Sequence, residues 1–310
     1  MQKIEELVKI LNRYAYQYYV LDEPIVSDAE YDKLYDELLS LEKSTGIVLE
    51  NSPTRRVGGE PLKKFEQSKH LNKLYSLDKC QNSEQFNDWV LRIKKSLGYF
   101  PKMTAEYKFD GLTINMLYEN GKLVKALTRG NGEVGEIVTE QVKTIKSVPL
   151  TIDYKGQVEV QGEGIMRLSV LEKYNKRAKE PLKNARNGVA GAIRNLDPKV
   201  TATRNLDVMC YNIGASDKYF PTQQSMREFI QEQGFKLGGD FEVILSEDDA
   251  MAFAAKTEEK RGSLDYLIDG VVFKVDDKTE RERLGFTEKF PKWAVAYKFK
   301  PDEVTTILND

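Results

Sequence analysis

Residues 103–111 read Met-Thr-Ala-Glu-Tyr-Lys-Phe-Asp-Gly, and apolar and polar side chains alternate along them. Successive side chains of a β-strand face opposite sides of the sheet, so the stretch predicts a strand with one buried apolar face. Glu106 and Lys108 would lie together on the other face. Asp110-Gly111 ends the strand in a turn, where a glycine lets a ligand approach the backbone. A lysine at such a strand end, between two carboxylates, has the surroundings of a covalent nucleophile.

The pattern Lys-x-Asp-Gly also fits a surface strand that ends in a charged turn, and alone it is too short to exclude that interpretation. Three other stretches share the design of an apolar strand that carries Lys or Glu on its second face. They are residues 158–163, 269–274 and 293–299. Together the four stretches indicate the walls of one pocket.

We expect Lys108, Lys274 and Lys298 to converge in this pocket. The repulsion among three ammonium groups would be relieved by an anion, and a polyphosphate is the natural one. The same repulsion favours the neutral amine that a lysine nucleophile needs. Glu163 and Asp269 would supply oxygen ligands for Mg²⁺, the cation that accompanies phosphates.

A glycine-rich turn at 128–133 places Arg129 where an arginine can contact ribose or phosphate. Just before it, Asn120-Gly121 predicts a β-hairpin between strands at 112–118 and 122–128.

The composition limits the possible chemistry. The chain has 310 residues, a formal net charge of −2, one histidine and two cysteines. One histidine nearly excludes Ser/His and Cys/His mechanisms, and Cys80 and Cys210 do not have a zinc-binding spacing. Their usage favours a reducing cytoplasm. The sequence shows no signal segment and no apolar run long enough to span a bilayer, so we expect no membrane association.

Charge is distributed unevenly along the chain. Residues 1–52 include eleven acidic and five basic residues, whereas residues 172–204 include nine basic and three acidic ones. The basic segment fits either a solvated face or a surface that contacts phosphates.

The first 52 residues predict a small helical hairpin. Residues 3–20 carry apolar side chains at helical spacing. Ser27, with Glu30 three residues later, predicts the start of a second helix that ends at Gly46. The tyrosines of the first helix and the acids of the second either fill a core and complement a helix dipole, or form a pocket for a flat cationic ring such as nicotinamide.

The remaining chain predicts an α+β fold with largely antiparallel sheets. Residues 52–61, with two prolines and Gly58-Gly59, predict a linker. A helix capped by Asn82 should end at Gly98. Further helices are predicted at 169–179, 222–233 and 246–260, and strands at 266–275 and 293–299.

The pocket residues resemble a known motif series. The set Lys108-x-Asp110-Gly111, Glu163, Asp269-Gly270-x-x-x-Lys274 and Lys298 is similar to that of lysine-dependent nucleotidyltransferases. More closely, the chain resembles the N-terminal half of bacterial NAD⁺-dependent DNA ligases over essentially its whole length. The stretches that carry this resemblance are 18–20, 27–32, 51–58, 76–78, 128–130, 196–199 and 293–299.

The resemblance implies two domains. Residues 66–310 would form a nucleotidyltransferase fold of antiparallel sheets flanked by helices, and residues 1–65 a helical domain. The helical domain would hold the nicotinamide mononucleotide (NMN) side of NAD⁺ through Tyr18, Tyr19, Asp28, Ala29, Glu30, Tyr31 and Asp32.

The resemblance also implies the chemistry: NAD⁺ adenylylates Lys108 and NMN leaves, the first step in sealing 5′-phosphate/3′-hydroxyl nicks in DNA. Ser76, Leu77 and Glu106 would lie around the adenosine, Arg129 and Glu163 near the ribose, and Lys274 and Lys298 on the phosphates. The catalytic residues would be Lys108, Asp110, Glu163, Asp269, Lys274 and Lys298.

The expected cofactors and partners follow. They are NAD⁺, Mg²⁺ (or Mn²⁺) on Glu163 and Asp269, no zinc in this part, and nicked double-stranded DNA. We expect a cytoplasmic monomer. Because the family continues with further DNA-binding domains, we expect an adenylation fragment that performs the first step, binds DNA weakly and ligates poorly.

Four departures from the family pattern leave every motif residue in place, so we expect catalytic competence. Gln161 stands where arginine is usual, Asn131 where aspartate is common, and Tyr19 where histidine sometimes occurs. Residues 184–191 read Asn-Ala-Arg-Asn-Gly-Val-Ala-Gly instead of Asn-Pro-Arg-Asn-Ala-Ala-Ala-Gly.

Two alternatives stay open. One is a lysine nucleotidyltransferase that uses ATP or GTP, such as an RNA ligase or capping enzyme; the acidic, tyrosine-rich hairpin argues against it. The other is a non-catalytic nucleic-acid-binding module that uses residues 172–204, with salt-sensitive affinity. The complete motif set argues against that.

Overall fold

The N-terminal helices confirm the predicted hairpin. The computed structural model describes residues 1–56 and 62–300. Helix α1 (Gln2–Ala15) packs on α2 (Asp28–Thr45), and a 3-10 turn (Pro53–Arg56) follows. As predicted, the Ser27 side chain accepts a hydrogen bond from the Glu30 N–H, and Gly46 ends α2 with a φ of 69°. The predicted linker glycines lie outside the described residues.

The first helix differs from the prediction at its end. Residues Tyr16–Val20 form a π-helical turn, in which the Leu21 N–H donates to the Tyr16 carbonyl at 3.1 Å. Within this turn the ring centroids of Tyr18 and Tyr19 lie 4.7 Å apart. Such turns often occur at functional sites, and a regular helical pattern does not reveal them.

The rest of the described chain is α+β. Its helices are α3 (Ser83–Leu97), α4 (Thr139–Lys143), α5 (Leu168–Asn175), α6 (Ala185–Ile193), α7 (Pro198–Thr203), α8 (Gln223–Glu232), α9 (Glu247–Lys260) and α10 (Lys278–Leu284), with a 3-10 turn at Arg261–Ser263. Its strands are β1 (Gln67–Lys69), β2 (Asp78–Cys80), β3 (Met103–Phe109), β4 (Leu112–Glu119), β5 (Lys122–Thr128), β6 (Val134–Glu136), β7 (Val158–Ile165), β8 (Asp207–Ser216), β9 (Phe241–Ile244), β10 (Ile268–Val275) and β11 (Ala294–Lys298).

These strands form three sheets. The five-stranded sheet has the order β2-β11-β10-β3-β9, the four-stranded sheet β5-β4-β7-β8, and β1 pairs with β6. Every pairing is antiparallel except that of β11 with β2. The predicted fold class and the largely antiparallel sheets are confirmed.

Strand β3 and the turn after it connect the two large sheets. The apolar row of β3 is buried in the core of the five-stranded sheet, as the alternation predicts. After Asp110-Gly111 the chain enters the four-stranded sheet as β4. A Cβ on Gly111 would lie 2.0 Å from the Gly164 carbonyl oxygen, so only glycine permits this crossing. The Lys-x-Asp-Gly motif therefore lies where the chain passes from one sheet to the other.

The predicted hairpin between β4 and β5 is also confirmed. Asn120 and Gly121 both adopt positive φ, at 52° and 77°. This is the geometry that the tight hairpin turn requires and that asparagine and glycine tolerate best.

The helical hairpin docks on the four-stranded side of the molecule. The Arg56 guanidinium donates to the carbonyls of Ile145 and Val148 at 2.8 and 2.9 Å. Asp22 is held at 2.5 Å by Arg167 and at 3.0 Å by the Nζ of Lys236, which is buried. These contacts fix the orientation of the hairpin, which the sequence left open.

Candidate functional site

A cleft of about 930 Å³ lies between the two large sheets. One wall is formed by β3, β10 and β11, which contribute Lys108, Lys274 and Lys298. The other is formed by β4, β7 and β8, which contribute Thr113, Glu163 and Tyr211. The second face of β3 therefore lines a cleft, which excludes the interpretation as a surface strand.

At one end of the cleft, two lysines share one carboxylate. Both Lys108 and Lys298 face Gly270 in the strand register, directly after Asp269. The Nζ of Lys108 lies 2.9 Å from Asp269 Oδ1, and the Nζ of Lys298 lies 3.0 Å from Oδ2. Burial raises the pKa of Asp269, but the two lysines more than offset this and hold it below its ordinary value. We call these three residues the outer lysine group.

Lys274 does not join them. It lies four residues beyond Gly270 on β10, or roughly 13 Å at the rise of a strand. Its Nζ forms an ion pair with Glu106 and donates to the Tyr211 carbonyl at 3.3 Å. We call Lys274 and Glu106 the inner lysine pair.

All three lysines line the same cleft, as expected, but Lys274 lies apart from the other two. Each of the three ammonium groups contacts a carboxylate, but Lys108 and Lys298 share Asp269, whereas Lys274 has Glu106 to itself. The outer lysine group keeps one positive charge without a carboxylate partner, so an anion is still favoured there. The register of β10 explains the separation of Lys274 from Lys108, because the position of a residue along a strand decides which neighbours it reaches.

Glu163 lines the opposite wall. Its Oε2 accepts a hydrogen bond from the Thr113 hydroxyl at 3.1 Å. Burial raises the pKa of Glu163 to about 7, against the opposing effects of Thr113 and of the charge on Lys108. At neutral pH this carboxyl can thus either donate or accept a hydrogen bond.

Asp110 and the adenosine candidates are placed around the same cleft. Asp110 accepts from the Arg186 guanidinium at 2.7 Å, which ties the Lys-x-Asp-Gly turn to α6. Ser76 and Leu77 line the cleft, as does Arg129. The structure brings these residues together with Lys108.

The two carboxylates assigned to a metal do not form a ready-made site. Asp269 already binds two ammonium groups, and the pKa of Glu163 is about 7. Within residues 1–56 and 62–300, no group of three or more His, Cys, Asp or Glu side chains is arranged to hold a metal. The residues present do not fit a divalent cation held by the protein alone, and Mg²⁺ on Glu163 and Asp269 stays a prediction.

The residues assigned to nicotinamide lie elsewhere. None of them lines this cleft. The Tyr19 hydroxyl accepts from Lys146 at 2.9 Å, and Tyr31 stacks on Tyr35 at 6.4 Å. Tyr18 is exposed, as is the start of α2, which carries Asp28, Ala29, Glu30 and Asp32. The helical hairpin would have to move before these side chains could face a ligand in the cleft.

Tyr211 is a cleft residue that sequence reasoning missed. Its ring lies in the wall of the four-stranded sheet, and Lys274 Nζ is 5.4 Å from the ring centroid. Burial raises the pKa of its hydroxyl. Strand β8 mixes polar and apolar residues without alternation, so no pattern in the sequence indicated it.

The cleft thus lies between two largely antiparallel sheets, with Lys108 where the chain crosses from one sheet to the other. Residues 62–302 match the family described as "NAD-dependent DNA ligase adenylation domain", and residues 1–58 match "DNA ligase-like, N-terminal NAD+-binding domain". The chain therefore belongs to the NAD-dependent DNA ligase adenylation domain family.

Relatives named DNA ligase match the whole chain. It is 53% identical to the protein from Alkaliphilus metalliredigens, covering 100% of this chain and 47% of that protein. For Finegoldia magna the identity is 50%, over 99% of this chain and 48% of that protein. The chain thus spans about half the length of the curated relatives it matches. Among solved structures, an archaeal ATP-dependent RNA ligase shows a distant likeness, with a TM-score of 0.41 at 12% identity, covering 74% of this chain and 48% of that one.

In the described part of the chain, no helix has the length and apolar character that crossing a membrane requires.

Proposed function

We propose that this chain is the self-adenylylating part of an NAD⁺-dependent DNA ligase, and that Lys108 is its nucleophile. One observation carries the proposal: Lys108 lies at the crossing of the two sheets, with its Nζ 2.9 Å from Asp269 in an open cleft. The match of residues 1–58 to an NAD⁺-binding domain supports NAD⁺ over ATP or GTP.

In the proposed step, Lys108 Nζ attacks the adenylyl phosphorus of NAD⁺ in line with the oxygen that leaves with NMN. A nitrogen–phosphorus bond forms as that phosphorus–oxygen bond breaks. The ammonium loses one proton to solvent water before the attack and a second one to solvent water as the new bond forms. Asp269 orients Lys108 rather than takes its proton, because the pKa of Asp269 is held below its ordinary value.

The outer lysine group would hold the phosphates. Lys298 is about one-third exposed and faces the same carboxylate as Lys108, so it can exchange Asp269 for a phosphate oxygen. Such positioning and charge neutralisation are what phosphoryl transfer requires from a protein.

The inner lysine pair would lie at the base end. Lys274 and Glu106 present a buried donor and acceptor beside the Tyr211 ring, which suits the hydrogen-bonding edge and face of adenine. This changes the role of Lys274 from the phosphates to the base. Arg129 and Glu163, with Ser76 and Leu77, would lie around the sugar.

We further propose that the helical hairpin leaves its docked position so that its tyrosines and acids can bind the nicotinamide half. The adenylyl group would then pass to the 5′-phosphate of nicked double-stranded DNA, and a 3′-hydroxyl would displace AMP. We expect the 310-residue chain to adenylylate itself as a cytoplasmic monomer and to seal nicks poorly. Mg²⁺ or Mn²⁺ would accompany the phosphates.

The test is the intact mass of the protein after incubation with Mg²⁺ and NAD⁺, with ATP or GTP in parallel samples. We expect the gain of one adenylyl group with NAD⁺ only, and no gain in Lys108→Ala. A gain with ATP or GTP would move the chain to the other lysine nucleotidyltransferases. If no nucleotide adds mass, the proposal fails, and salt-dependent DNA binding would then favour the non-catalytic module.

A further inference from the structure

His70, the single histidine of the chain, lies just outside the cleft and has no part in the proposed step. Its residue is 9% exposed, and it sits in the segment that runs from β1 to the cleft residues Ser76 and Leu77. Both ring nitrogens have polar partners, as buried polar groups usually do, so the ring links the segments that carry those partners.

The partners of the ring define its hydrogen bonds. Nε2 lies 3.2 Å from the Arg129 carbonyl oxygen, and Nδ1 lies 3.2 Å from Nδ2 of Asn115. A carbonyl oxygen only accepts, so Nε2 carries the proton and donates to Arg129. Nδ1 then accepts from the Asn115 amide. His70 thus connects β4 to the turn that follows β5.

That turn is held through its backbone. The His70 N–H donates to the Glu133 carbonyl at 3.0 Å, and the Leu74 N–H to the Gly132 carbonyl at 2.8 Å. The turn carries the Arg129 side chain into the cleft, where its charge acts on Glu163.

The Arg129 side chain has no fixing contact of its own. Among the described residues its guanidinium forms no hydrogen bond or ion pair. Its place in the cleft is therefore set by its backbone, whose carbonyl accepts from the Gly132 N–H within the turn at 3.0 Å and from the His70 ring at 3.2 Å. The His70 ring is the side-chain contact that ties this carbonyl to β4.

We infer that His70 is a positioning residue: by holding the Arg129 carbonyl it sets where the Arg129 guanidinium meets the ribose–phosphate part of the bound dinucleotide. The inference rests on the proposed function, because it names a role in that reaction. His70 would act only through Arg129 and would touch neither NAD⁺ nor the reacting atoms.

The two ring nitrogens allow a matched pair of variants. In His70→Gln the side-chain amide reaches the place of Nε2, so the donor to Arg129 is kept. In His70→Asn the shorter side chain can offer an acceptor at the place of Nδ1, so Asn115 keeps its partner while the donor to Arg129 is lost. Positioning predicts different reactivities for the two variants, whereas a merely structural role predicts similar ones.

The experiment is single-turnover adenylylation of Lys108 across NAD⁺ concentrations, for wild type, both His70 variants, Arg129→Ala and His70→Asn/Arg129→Ala. We expect His70→Asn to raise the half-saturating NAD⁺ concentration roughly tenfold, which corresponds to about 1.4 kcal/mol. The plateau rate should change less. His70→Gln should stay within about threefold of wild type. The double variant should react like Arg129→Ala alone, because coupled residues are not additive.

Three outcomes would overturn the inference. One is equal impairment of His70→Gln and His70→Asn, and another is the full His70→Asn effect in the Arg129→Ala background. The third is an unchanged half-saturating concentration in His70→Asn. Asn115→Leu, which keeps the contact to Arg129, serves as the folding control, with thermal unfolding measured for every variant. If NAD⁺ does not label the wild type, the proposed function is refuted, and with it the role of His70. If NAD⁺ labels the wild type, the variants test the role of His70 by itself.

Discussion

The outer lysine group and the inner lysine pair use the same residue types in opposite surroundings. In the outer group, the side chains of Lys108, Asp269 and Lys298 are 25%, 27% and 38% exposed. In the inner pair, those of Lys274 and Glu106 are 7% and 6% exposed. Solvated ion pairs contribute little to stability and exchange partners easily, whereas a buried charge that loses its partner is costly. Burial, more than residue type, thus distinguishes the outer lysine group, whose side chains can exchange partners and react, from the inner lysine pair, whose side chains stay paired.

The largest expected effect tests the reactive side of this comparison. Lys108→Arg keeps a positive charge beside Asp269, but a guanidinium stays protonated and cannot attack phosphorus. Labelling by NAD⁺ should fall by at least a factor on the order of a thousand. The intact mass after incubation measures this, and unchanged thermal unfolding is the control. Substantial labelling of the arginine variant would remove Lys108 from its role.

The second prediction concerns the stability contributed by the inner lysine pair. Lys274→Met leaves the Glu106 carboxylate buried without its partner, so the free energy of unfolding should fall by roughly 3–5 kcal/mol. Urea unfolding measures the loss. Adding Glu106→Gln should recover part of it, because the buried charge is then gone.

The matched control in the outer group is Asp269→Asn. Since its partners are solvated, this variant should lose no more than about 1 kcal/mol. Equal losses of unfolding free energy for Lys274→Met and Asp269→Asn would show that the inner lysine pair and the outer lysine group do not differ in this respect.

A third, smaller effect concerns Lys298. Lys298→Met removes a charged donor to the phosphates, so the rate of adenylylation should fall roughly tenfold to a hundredfold. Stability should remain that of the wild type. Rapid-quench measurements at saturating NAD⁺ test this, and a rate within twofold of wild type would exclude a phosphate role for Lys298.

The last prediction is a pH dependence that arises from Glu163 on the opposite wall of the cleft. Burial raises the pKa of Glu163 to about 7, whereas in the unfolded chain it returns to an ordinary value. Between about pH 5 and pH 7 the folded protein therefore holds a proton that the unfolded chain has released, so this group lowers stability as pH rises through that window and adds no change above it.

Glu163→Gln removes this titration. Relative to wild type, the variant should become more stable as pH rises from about 5 to about 7, and the difference should then stay constant. Urea unfolding across this range measures it. A difference that is the same at every pH would show that Glu163 titrates normally.

Local patterns predicted the elements of the fold well where the physical cause is local. The alternation in β3, the turn at Asn120-Gly121 and the cap at Ser27 each depend on neighbours within a few residues. These features are confirmed. The π-helical turn at Tyr16–Val20 was missed because hydrophobic spacing does not distinguish a π turn from an α turn.

The sequence predicted that Lys108, Lys274, Lys298 and Glu163 face one cleft, but it did not predict how they are arranged within it. Alternation shows which face of a strand a lysine occupies, but the distance from Lys274 to Lys108 depends on the register between β10 and β3. The orientation of the helical hairpin likewise depends on contacts between distant residues, such as Asp22 with Lys236. The roles of these residues stay predictions.

The shared carboxylate of the outer lysine group has a consequence for the timing of the reaction. Two ammonium groups and one carboxylate give this end of the cleft a net charge of +1 before the reaction. If Lys108 becomes a phosphoramidate, it loses its charge and the attached AMP adds one negative charge, so Lys298, Asp269 and AMP sum to −1. A surface that attracts an anionic dinucleotide would then repel the phosphate of the departing mononucleotide. The charge of these three side chains would therefore favour binding of the dinucleotide before the bond forms and release of the mononucleotide afterwards.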